Sequence, residues 1–152
     1  MLFHPHCKKT NAFLQRSEIN NLKRQLYNER ESLSREAKKS QDLSNSRLEQ
    51  MSHDYKQKNY DYALSPWRWT FLNCPQSSGN IYKNGPVIIK SKMKKDKSNK
   101  AAYVDTLMLI YDKRIQYFGK EGFVLGLKGS DILRYDKNNY EKAYEILKTS
   151  YD

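Results

Sequence analysis

The stretch with the densest chemistry in this chain is IIKSKMKKDKSNK, residues 88–100. Lys90, Lys92, Lys94, Lys95, Lys97 and Lys100 crowd into it against a single acid, Asp96. Ammonium groups at this density suit a polyanion: phosphates of nucleic acid, an acidic protein surface, or anionic lipid. Just ahead lie Trp67, Arg68, Trp69 and Phe71. In an extended chain the two tryptophans point the same way. Flanking Arg68, they then suit stacking on bases or anchoring a protein partner. The polyanion-binding set is therefore Lys90, Lys92, Lys94, Lys95, Lys97, Lys100 and Arg68, with Trp67, Trp69 and Phe71 as partner anchor.

Catalytic chemistry has little to draw on. Three histidines are present, His4, His6 and His53. His53 sits beside Asp54, and adjacent residues on a helix do not face each other. Asp105 and Asp112, seven apart, share a helical face that is polar, and Asp131 stands apart from them; no pocket of convergent carboxylates is indicated. No GxxxxGK[ST] occurs, which excludes a P-loop. His4, His6 and Cys7 in HPHC are ligand types for a soft or borderline metal, but a structural zinc wants four ligands and no CxxC supplies the rest. The chain reads as a non-enzyme without a cofactor, its first dozen residues a flexible terminus.

Charge is distributed unevenly. Residues 1–58 carry twelve Lys/Arg against seven Asp/Glu, 59–100 eight against two, and 101–152 eight against eight, within a total of +11. The excess precedes a balanced C-terminal third. An apolar fraction of 38% and a mean hydropathy of −0.97 are low for a core spanning all 152 residues. Two cysteines make no disulfide scaffold and point to a reducing, intracellular compartment. That is the cytoplasm first; the acid-free start before Glu18 leaves mitochondria as the alternative. No apolar run approaches the roughly 20 residues of a membrane span.

The elements that must position these residues come in four parts. Residues 13–58 contain no glycine or proline and read as a long basic helix. Ile19, Leu22, Leu26, Leu33 and Leu43 fall on heptad a and d positions, while Glu29, Glu36, Ser40 and Arg47 interrupt the seam. After a phase shift Leu48, Met51 and Tyr55 form a second stripe. The helix either lies along a larger body or pairs with a second copy as a coiled coil. Residues 59–100, punctuated by Pro66, Pro75, Gly79, Gly85 and Pro86, read as an aromatic and lysine-rich loop with a short strand over 86–93. Residues 101–152 read as a small α+β domain: an amphipathic helix over 98–119 ended by Gly119, with a hairpin of strands 106–111 and 114–118 as the competing reading, then two short strands at 123–127 and 132–135, and a terminal amphipathic helix capped by Asn138 or Asn139. The fold class expected is thus α+β.

GKEG, residues 119–122, resembles the GxxG loop of a KH domain, which implies a clamp for four nucleotides and a second helix over about 123–133. Gly126 and Gly129 oppose that helix. LMLIYDKRIQYFG followed by DIL resembles strands of PH- or GRAM-type lipid modules, whose remaining strands find no room after Tyr135. Neither resemblance assigns a family. The leading reading is a structural or adaptor subunit of a larger protein or ribonucleoprotein assembly, docked on an acidic surface or nucleic acid. A stand-alone nucleic-acid-binding protein of a mobile element or virus comes second, and an anionic-membrane-surface module third.

Overall fold

Every regular element among the described residues is a helix. The structure is a computed structural model that describes residues 6–151, with side chains from residue 15 onward. His4 lies outside the described residues, as do the side chains of His6 and Cys7. The elements are α1 (His6–Lys56), α2 (Tyr60–Asn73), α3 (Asn80–Lys95), α4 (Lys100–Phe118), α5 (Glu121–Tyr135), a single 3-10 turn (Lys137–Asn139) and α6 (Tyr140–Thr149). The chain divides into two compact units, Met1–Leu43 and Ser44–Asp152. The division falls within α1, where its apolar stripe changes phase. In the first unit Ile19, Leu22, Leu26 and Leu33 are 49, 58, 59 and 59% exposed. In the second, Met51 is buried, with Leu48 and Tyr55 packed against the same core.

The α+β expectation is therefore wrong, and each misread segment has its own cause. The strand expected over 86–93 is the second half of α3. Taken from Ile81, the buried residues Ile81, Tyr82, Gly85, Pro86, Ile88, Ile89 and Met93 recur every three to four positions, a helical period cut short by starting at Pro86. The aromatic loop expected from residue 59 begins with α2, whose buried Ala63, Pro66, Trp67, Thr70 and Phe71 follow the same spacing. Pro66 and Pro86 each remove a helical hydrogen bond, a cost of about 3 kcal/mol that burial of the surrounding side chains outweighs. The two strands expected after Gly119 are α5. Its glycines do not break the helix; they line the face that receives α6. A Cβ at Gly129 would lie 2.6 Å from Leu147 and 3.2 Å from the Ala143 carbonyl, and one at Gly122 would lie 3.0 Å from the Ser150 carbonyl. The GxxG glycine is thus packed against the C-terminal segment, and with no strand among the described residues neither the KH nor the PH/GRAM resemblance holds.

Within Ser44–Asp152 each of α2 to α6 packs on the next. Trp67, 1% exposed, joins α2 to α3: its indole Nε1 donates to the Ile81 carbonyl at 2.8 Å, and its ring stacks on Phe71 at 5.2 Å. Gly85 lies directly beneath the indole. A second tie joins α3, α4 and α5. Asp131 is 5% exposed, and its Oδ2 accepts from the Tyr111 hydroxyl at 2.6 Å and pairs with Lys90 Nζ at 2.6 Å. A buried carboxylate is tolerated only with such partners. Between α4 and α5, Gly119 at φ 66° and Lys120 at φ 57° make the left-handed turn.

These contacts generate four predictions. Gly85→Ala brings a Cβ to 2.7 Å from the Trp67 indole nitrogen. Despite the better helix propensity of alanine, it should destabilise by about 1–2 kcal/mol in urea denaturation. Gly79→Ala, whose Cβ meets only Phe118 at 3.8 Å, should change stability by less than about 0.5 kcal/mol. Lys90→Ala strands the Asp131 charge and should cost about 2–4 kcal/mol, below the full penalty because Lys90 keeps some water; Lys90→Met with Asp131→Asn should recover most of the loss in the same assay. Burial pushes the Tyr82 hydroxyl up from 10.0 to about 12, and burial with the bond to Asp131 raises Tyr111. A raised pKa in the folded state means that this stability is whole below pH 10 and is lost as pH climbs from 10 toward 12. Circular dichroism and phenolate absorbance, followed together, should show helix loss and late tyrosine ionisation in one window. Complete tyrosine ionisation near pH 10 with intact helices would contradict this packing.

Candidate functional site

The lysines of 88–100 do not form one loop. Lys90, Lys92, Lys94 and Lys95 stand on the last turns of α3, where cations also complement the helix C-terminus. Helical geometry sends them in different directions. Lys92 pairs with Asp61 at 3.5 Å, and Lys95 pairs with the same carboxylate from α2. Hydrogen bonding from Lys95, with the nearby charge of Lys92, holds the Asp61 carboxyl below its usual range. Lys90 and Lys94, four apart with Ser91 between them, turn toward α5.

There they line a cleft of about 380 Å³ with Tyr60, Val87, Arg134 and Tyr135. Lys90 pairs with Asp131, and its Nζ lies 5.9 Å from the centre of the Tyr135 ring. Lys94 and Arg134 are exposed at its edge. No carboxylate lines the cleft itself. The neighbouring grooves differ. The one holding Lys100 includes Asp105 and Asp136, and the one holding Arg68 and Trp69 includes Asp61. Asp96, the acid of the lysine run, closes the turn between α3 and α4 by accepting from Ser98 Oγ at 2.7 Å, Asn99 Nδ2 at 2.9 Å and the Tyr103 hydroxyl at 2.9 Å. Those donors hold its pKa down at about 2. Lys97 sits in that turn, exposed.

The aromatic set is divided as well. On a helix, Trp67 and Trp69 lie on different faces, not the common face of an extended chain. Trp67 and Phe71 are in the core, stacked on each other. Trp69 is half-buried in the groove with Arg68, Leu64 and Leu72. Of the ten residues singled out from the sequence, only Lys90 and Lys94 meet in the cleft. Tyr60, Val87, Ser91, Arg134 and Tyr135 complete it and were not anticipated as site residues. Arg134 and Tyr135 follow Asp131 by three and four positions, which places them on its face of α5; reading that segment as a strand hid this.

The cleft offers ammonium, guanidinium and hydroxyl donors and can hold an anion. Its lining includes neither a histidine nor a thiol. His53 is on α1, 3.5 Å from Asp54. Among the described residues no three His, Cys, Asp or Glu side chains gather as metal ligands, and no helix is long and apolar enough to cross a membrane. Compared with known proteins, the chain matches no family model, no curated protein and no solved structure.

Proposed function

We propose that the chain is a non-enzymatic adaptor subunit that docks on a polyanion within a larger assembly, using the cleft between α3 and α5. The observation that carries this is the charge of the lining: Lys94 and Arg134 converge with Ser91, Tyr60 and Tyr135, no acid lines the cleft beside them, and among the described residues Lys90 alone of its three cations is paired, with Asp131. The lysines on the other side of α3 already share Asp61. Lys90 is held by Asp131, so Lys94 and Arg134 supply the cationic grip, and the tyrosines supply apolar edges on which a base or a partner side chain can rest. A nucleic-acid strand fits this mixture of cation and aromatic ring.

The test is titration of the whole chain with labelled single-stranded RNA and DNA, and with polyglutamate, over a salt series. Binding of a nucleic acid should weaken linearly in log salt. Replacing Lys94 and Arg134 by serine should lower the slope by about one for each phosphate that is no longer neutralised. Replacing Lys92 and Lys95 should lower it less, since Asp61 screens them. Binding of polyglutamate alone would assign the cleft to an acidic protein. No binding of any polyanion at low salt would overturn the proposal.

A further inference from the structure

The first unit carries a different surface, and its charges say what can cover it. Along α1, Ile19, Leu22, Leu26 and Leu33 form an exposed apolar stripe at heptad a and d positions. The flanking e positions are Arg16, Lys23, Arg30 and Ala37, a cation in each of the first three heptads, and all are exposed. Leu26 shares a surface groove with Lys23 and Arg30, and with Glu31 as its one acid. The other edge, Glu18, Gln25, Ser32 and Lys39, has no such bias. Glu29 and Glu36 occupy d positions within the seam.

A second copy fits this face poorly in either direction. In a parallel pair d meets d, which sets Glu29 against Glu29 and Glu36 against Glu36. In an antiparallel pair e meets e, which sets the Arg16, Lys23 and Arg30 edge against itself. A helix with leucine-type residues on its face and glutamates along its edges avoids both conflicts and matches the cationic side.

We infer that residues 15–43 of α1 receive an amphipathic helix of another protein, apolar on its inner face and acidic along its edge. The homodimer suggested by the heptads is replaced by this heterotypic pair. The pairing is independent of the cleft between α3 and α5, and variants at Lys94 and Arg134 leave it untouched.

Two synthetic helices of about four heptads serve as probes, both with leucine at a and d, one with glutamate and the other with lysine at every e and g position. Fluorescence anisotropy with the full chain should show the glutamate probe binding about tenfold or more tightly than the lysine probe. Leu22→Asp with Leu26→Asp should abolish binding; both side chains are exposed, so the Ser44–Asp152 core keeps its helix content and melting. Arg16→Glu, Lys23→Glu and Arg30→Glu together should reverse the preference between probes. Equal binding of both probes, binding of neither, or sedimentation of the chain as a dimer that Leu22→Asp disperses would overturn the inference.

Discussion

One buried carboxylate organises the second unit. Asp131 has been taken out of water on α5, and the cost of burying it is offset by its partners: α4 presents the Tyr111 hydroxyl and α3 presents Lys90, each at 2.6 Å. Three helices are thereby fixed in mutual register by groups whose geometry is directional, where apolar packing alone tolerates sliding. The same demand decides the fate of the lysine run. Lys90 is committed to the interior, and its position sets the face of α3 on which Ser91 and Lys94 look toward Arg134. The cleft is a consequence of how the core was closed.

The charge excess is correspondingly less available than a count of lysines implies. Asp61 takes up Lys92 and Lys95 from one side of α3. Asp112, from α4, takes up Lys128 of α5. The Asp61 pairs, at the surface, contribute little to stability, but all of these pairs thin the local positive potential. Lys94 and Arg134 remain beside a lining without acids, and an incoming anion meets the field there.

Much of this was legible in the residues and some was not. α4 could be read from the recurrence of Val104, Leu107 and Tyr111 and from Gly119 at its end, because burial and capping agree there. The stripe changes phase between Leu43 and Leu48, but the sequence reads there as one continuous helix over 13–58; the division into two units between Leu43 and Ser44 emerges only from packing. The prolines and glycines misled. Pro66, Pro86 and the glycines of α5 are local signals against helix, and they were overruled by tertiary packing: Gly129 is small because Leu147 and Ala143 press on it, and Gly85 is small because Trp67 does. The cleft was half visible. Lysines at 90 and 94 declare a charge, but their partners in space, Asp61, Asp131 and Arg134, are distant in sequence, and nothing local distinguishes a paired lysine from a free one.

Residues 44–152 bury a core of their own, while residues 15–43 present an apolar face that the chain alone leaves in water. An isolated helix with such a face has little to hold it but its own hydrogen bonds. Amide hydrogen exchange of the free chain tests this contrast most directly. Amides of α2 to α5 should exchange only through global unfolding, and those from Ile19 to Ser40 should exchange orders of magnitude faster. Core-like protection from Ile19 to Ser40 in the free, monomeric chain would contradict it.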